Sequence, residues 1–154
     1  MTILSRVFLA GALALSLHVA YAADNEPAPN DKLAPARAQI AAGQWRAAID
    51  ELKRINDTGS ADWNNLMGYS LRKAKQPDYE AAEHFYDEAL RIDPKHRGAL
   101  EYSGELYLMK GDLPKAEERL ARLDKVCFLP CAEYRDLKKA IGNYKANGNK
   151  VANW

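Results

Sequence analysis

Between Asp78 and Pro94 the chain reads DYEAAEHFYDEALRIDP, and its apolar residues recur at the helical period. On a helical wheel Tyr79, Ala82, Tyr86, Ala89 and Leu90 share one face, while Glu80, His84, Asp87, Glu88 and Arg91 share the other. The spacing predicts an amphipathic helix over 78–92. It should stop at Asp93-Pro94, because proline disfavours α backbone in the residue before it. Alanine at 82 and 89 lets a neighbouring helix come close, and the bulky residues a turn away fill the space beside that contact. On the polar face, Asp87 and Arg91 stand at the i, i+4 spacing that favours an ion pair.

The same pattern returns 34 residues to either side. Ala82 aligns with Ala48 and Ala116, Tyr79 with Trp45 and Leu113, Tyr86 with Leu52 and Leu120, and Ala89 with Ile55 and Leu123. An unbroken period of 34 predicts stacked helical hairpins, each needing its neighbours to bury an apolar face.

These residues resemble the tetratricopeptide repeat family, whose pattern W-x2-L-G-x2-Y, then A-x3-F, A and P, is partly met twice. The unit at 61–94 has Met67-Gly68, Leu71, Ala82, Tyr86, Ala89 and Pro94. The unit at 97–128 has Leu100, Gly104, Tyr107, Ala116, Leu120 and Leu123, with Gly111-Asp112 at the turn between its helices. A first unit at 35–57 is degenerate, matching only in its second helix, with Pro35 truncating whatever helix precedes it. Two departures stand out. Trp63 falls one position early, leaving Asn64 where the family prefers an aromatic. Gly68 to Ala82 is two residues longer than Gly104 to Ala116, an insertion in AKQPDY that a shorter preceding link offsets. The expected fold is all-α, a short right-handed α-solenoid of about three helical hairpins over 35–128 plus a C-terminal capping helix.

The ends supplement this picture. Residues 1–22 read as a cleavable signal peptide, with Arg6 ahead of an apolar run and Ala20-Tyr21-Ala22 as the small-x-small cleavage site. That run is shorter than the roughly 20 apolar residues a spanning helix needs, so periplasmic or secreted export without a stable membrane anchor after cleavage is expected. Residues 23–34, rich in proline and poor in apolar side chains, read as a disordered or loosely extended leader. Loss of Arg6 takes the formal net charge from +1 to zero, which argues against nucleic acid as a partner. At the other end, Tyr134, Leu137, Ile141 and Tyr144 form the apolar stripe of a capping helix over 131–147. The tail 148–154 is expected to be mobile, with Trp154 either folded onto the cap or frayed.

The only cysteines, Cys127 and Cys131, flank Phe128-Leu129-Pro130 between the last repeat helix and the cap. In an oxidising compartment a structural disulfide is expected, with Pro130 suited to the first position of the cap helix. A thiol-redox or metal-handling role for the pair is the alternative, although the spacing is not C-x-x-C and neither His84 nor His96 is near in sequence. Both histidines read as solvated surface residues. No serine sits in a nucleophile motif and no phosphate loop or metal motif is present, so no enzyme activity, no cofactor and no metal are expected.

In the family that the chain resembles, the first helices of successive hairpins line a concave groove that grips peptides or helices. The resemblance therefore implies a protein or peptide partner. By position it assigns the groove to Asn65, Tyr69, Arg72 and Lys73 in one unit and Glu101, Glu105, Leu108 and Met109 in the next. Family members that bind chaperone tails clamp a terminal carboxylate with basic and amide side chains. Glu101 and Glu105 would repel such a group, so that specialisation is not expected here. The groove is small, which leaves room for a homodimer through an exposed first-helix face.

Overall fold

The structure, a computed structural model, describes residues 31–151. The signal peptide, most of the leader and Trp154 lie outside them. Among the described residues seven helices follow one another: α1 (Ala34–Ala41), α2 (Trp45–Ile55), α3 (Ala61–Lys73), α4 (Tyr79–Ile92), α5 (Arg97–Met109), α6 (Leu113–Val126) and α7 (Ala132–Ala146). No strand occurs among the described residues. Helices α1 to α6 pair as three hairpins and α7 packs on α5 and α6, the expected all-α solenoid with its cap. None of these helices is long and apolar enough to cross a membrane.

The repeat period reappears as packing. Ala48, Ala82 and Ala116 are wholly buried, so helix backbones touch where the sequence repeats its alanines. The period also sets the helix starts. Gln44, Asp78 and Asp112 precede the second helices of the three hairpins, and the two aspartates cap theirs by accepting hydrogen bonds from Ala81 N (2.9 Å) and Lys115 N (3.1 Å). Gly43 and Gly111, at equivalent turns, have φ of +68° and +78°, a backbone region that suits glycine. The middle hairpin has Pro77 at that point, and its longer AKQPDY turn is the alternative way round the corner.

Several local expectations change. Asn64, in the place of an aromatic, is buried, and its amide donates to Thr58 O and Ser60 O at 2.8 Å each, tying down the α2–α3 link. Trp63 fills the neighbouring core instead and donates its indole N–H to Leu52 O (2.8 Å). His96 is not a solvated surface residue. It caps α5, its Nδ1 accepting from Ala99 N (3.0 Å) while Nε2 contacts Asp62 Oδ1 at 2.9 Å. The Asp87–Arg91 pairing does not form. Arg91 turns to Glu88 (2.6 Å), and Asp87 accepts from Arg119 of the next hairpin (3.2 Å).

Arg119 is itself buried, with Nε donating to Ser103 Oγ (3.0 Å) and its guanidinium over the Tyr107 ring. Around it, Lys110 and Lys115 reach Glu83, and Arg122 donates to Pro94 O. The second and third hairpins are thus joined by charge as well as by apolar contact.

Of the leader, only residues 31–34 are described. Asp31 Oδ1 accepts from Leu33 N (2.9 Å), and Leu33 is buried against the first core cluster, with Ala36, Ile49 and Leu52. At the C-terminus, Leu137, Ile141 and Tyr144 are buried, Tyr134 is half-buried, and Val151 packs against the same core.

Candidate functional site

Helices α3 and α5 lie side by side, and each presents one polar and aromatic stripe. On α3 the stripe is Asn65, Tyr69 and Arg72, spaced i, i+4, i+7, which a 3.6-residue turn places on one face. On α5 it is Glu101 and Glu105 at i, i+4, with Tyr102 alongside. The stripes meet. The Tyr69 and Tyr102 rings stack at 4.5 Å with a 37° tilt, and Trp45, at the start of α2, stands edge-on to Tyr69 at 5.7 Å. The Arg72 guanidinium lies 5.4 Å from the Tyr69 centroid and 5.6 Å from that of Tyr102, in the range of cation–π attraction. Its Nη2 is 2.7 Å from Glu105 Oε2.

This is a buried ion pair, since the Arg72 side chain is only 3% exposed and that of Glu105 17%. Burial alone would lower the Arg72 pKa, but Tyr86 and Glu105 outweigh it and hold the guanidinium above its ordinary value. Beneath the pair, Tyr86 is wholly enclosed. Its Oη and the nearby Nε of Arg72 make no hydrogen bond of good geometry, and burial pushes the phenol pKa well up.

Glu101 has no such partner. It is 9% exposed, and among the described residues no cation stands within ion-pair distance of it. Burial, then the nearby carboxylates of Glu105, Asp136 and Glu133, push its pKa up to about 8, against a partial opposing pull from Arg72. The Tyr102 phenol is pushed up to about 12 by burial and by Glu101. Asn65 is also buried, its Nδ2 packed towards Gly98 and its Oδ1 without a hydrogen-bond partner.

Five of the eight residues assigned to the groove, Asn65, Tyr69, Arg72, Glu101 and Glu105, therefore come together. Leu108 does not join them. At i+7 from Glu101 it stands on the same helix face, yet it is wholly buried in the core cluster that also holds Ala89, Leu100, Leu123 and Leu137 of the cap. Lys73 and Met109 end their helices, half-buried, beyond the cluster. Tyr102 and Trp45 belong to the cluster and were not assigned to it. A cleft of about 920 Å³ lies to one side, between the α1–α2 turn, α2 and the α3–α4 turn, lined by Trp45, Ile49, Lys53, Leu71, Ala74 and Lys75. It shares Trp45 with the cluster and contains none of the assigned groove residues.

The second chemical feature is the loop before the cap. Cys127, at the C-terminal end of α6, and Cys131, the N-cap of α7, are joined by a disulfide with their Cα atoms 5.8 Å apart. Pro130 lies just outside the helix rather than at its first position. The ring holds Phe128 and Leu129 out from the body, 100% and 73% exposed. Among the described residues no three His, Cys, Asp or Glu side chains could share a metal ion.

The helical pairing, the spacing of the buried alanines and the caps define a tetratricopeptide-type solenoid. Residues 73–141 match the family described as tetratricopeptide repeat. Among solved structures the chain is similar to the Yersinia enterocolitica type III secretion chaperone SycD in complex with a peptide of the translocator YopD. That match has 19% identity and a TM-score of 0.61, covering 75% of this chain and 88% of that one. A second structure of SycD, described as an alternative dimer, matches at 20% identity with a TM-score of 0.61, covering 75% and 87%. No curated protein matches the chain in sequence.

Proposed function

We propose that the protein is a non-enzymatic scaffold that binds a protein or peptide segment through the face made by α3 and α5, in the periplasm or outside the cell. The observation that carries this reading is the meeting of two helix stripes in one patch of stacked aromatics, a buried ion pair and polar atoms lacking partners. Such a patch costs folding energy, because polar groups are removed from water without full compensation. A ligand that completes the bonding recovers part of that cost. The similar SycD structure holds a peptide, which supports peptide binding as a use of this fold. The export half of the reading rests on residues 1–22 alone.

The test is affinity capture from native envelope extract with residues 23–154 as bait, beside the same bait carrying Tyr69→Ala and Glu105→Lys. The expected result is a protein retained by the first and lost by the second. Equal capture by both baits would move the binding surface away from α3 and α5. Cleavage after Ala22, read by N-terminal sequencing of the exported chain, tests the location.

A further inference from the structure

We propose that the α3–α5 cluster is a receptor for one cationic side chain, lysine or arginine, carried on the bound segment; this deepens the binding-face reading above and rests on it.

Three observations converge on a cation. The first is charge. Arg72 and Glu105 neutralise each other at 2.7 Å, and Glu133 of α7 is paired with Arg97 at 3.6 Å, which leaves Glu101 and Asp136 as the uncompensated pair of carboxyls between α5 and α7. The second is hydrogen bonding. The buried Oδ1 of Asn65 has no donor and the buried Glu101 has no ion-pair partner among the described residues, and an ammonium or guanidinium brings several N–H groups and no acceptor. The other buried side-chain atoms without a partner among the described residues, Arg72 Nε and Tyr86 Oη, belong to neighbouring side chains in the interior. The third is the aromatic wall. Tyr69 is half-buried and Tyr102 stacks on it, and tyrosine faces already hold one guanidinium here. An anionic segment would bring further acceptors where donors are lacking.

Binding then has a proton signature. The titratable and charged groups around Glu101 are Tyr69 and Arg72 from α3, Tyr102 and Glu105 from α5, and Glu133 and Asp136 from α7. With its pKa near 8, free Glu101 is largely protonated at pH 7. A bound cation favours the carboxylate, so a proton leaves as the segment docks.

Four fluorescein-labelled nonapeptides of otherwise identical, uncharged sequence, with lysine, arginine, norleucine or glutamate at the centre, provide the probe. Anisotropy should show the lysine or arginine peptide binding about tenfold tighter than the norleucine one, with glutamate weakest. Glu101→Gln should erase that preference. Calorimetry in buffers of different ionisation enthalpy should show proton release with the lysine peptide and none in the variant. Equal affinity for lysine and norleucine, a preference that survives Glu101→Gln, or no binding of any peptide would each overturn the cation receptor. The two readings fail separately. Peptides that bind alike and are all released by Tyr69→Ala leave the face as a binding site, whereas equal capture by both extract baits removes the face itself.

Discussion

Gly104 of α5 and Leu137 of α7 meet so closely that a Cβ on Gly104 would lie 2.5 Å from Leu137 Cδ2 and 2.7 Å from Cδ1. Leu137 is wholly buried and cannot swing into solvent. Gly104→Ala should therefore cost about 1–3 kcal/mol through overpacking, despite alanine's better helix propensity. Gly142, on the same capping helix, has nothing within 4 Å of its Cβ position. Gly142→Ala should stabilise by up to about 1 kcal/mol. Opposite signs for the two in urea denaturation check the packing of the cap. If Gly104→Ala is neutral, α5 and α7 are further apart than described.

Glu101 makes stability fall as pH rises. Its folded pKa near 8 lies above the ordinary 4.5, so between those values the folded chain holds a proton that the unfolded chain has lost. Its unfavourable contribution is absent below pH 4.5 and complete above about 8. Glu101→Gln should raise the melting temperature more at pH 8.5 than at pH 5. A pH-independent difference between variant and wild type would show that Glu101 is not desolvated.

Breaking the Arg72–Glu105 pair leaves one charge buried alone. Glu105→Ala and Arg72→Met should each cost about 3–5 kcal/mol, and the double replacement Arg72→Met with Glu105→Leu much less than their sum. A double-mutant cycle by chemical denaturation measures the difference. Additive losses would mean that the two side chains do not interact in solution.

The disulfide closes a small ring, and its removal by Cys127→Ser with Cys131→Ser should cost about 2 kcal/mol. Phe128→Ser should leave the unfolding midpoint unchanged, because that side chain touches solvent alone. Thermal denaturation of both variants separates the staple from the residues that it presents.

Much of the fold was legible because a repeat states its packing rules several times. One buried alanine is ambiguous, but Ala48, Ala82 and Ala116 at a constant interval of 34 are not, and each is wholly buried. Features that depend on two chain segments meeting were harder to read. Asp87 had a plausible partner four residues away in Arg91, and only the stacking of hairpins brings Arg119 to it instead. His96 looked like surface, since a histidine cap needs a donor in the helix behind it and here also the carboxylate of Asp62 from another hairpin.

The candidate site divides the same way. Tyr69, Arg72 and Glu105 could be placed by their position on first helices. Leu108 shares the face of Glu101 and Glu105 in register, but it is buried in the core cluster shared with the cap helix, which its position on α5 alone does not reveal. Tyr102 carries a signal only in its adjacency to Glu101.

The links from α6 back to α4 have an effect beyond their own energies. In a stacked array the curvature of the inner surface follows from the small rotation between successive units. Arg119 bears on that rotation by tying α6 to Asp87 of α4 and to Ser103 of α5, residues outside the cluster of Tyr69, Tyr102 and Glu101. Loosening Asp87 or Arg119 should therefore change how wide the binding face opens, and hence which segments it admits, while every residue that touches the segment stays the same.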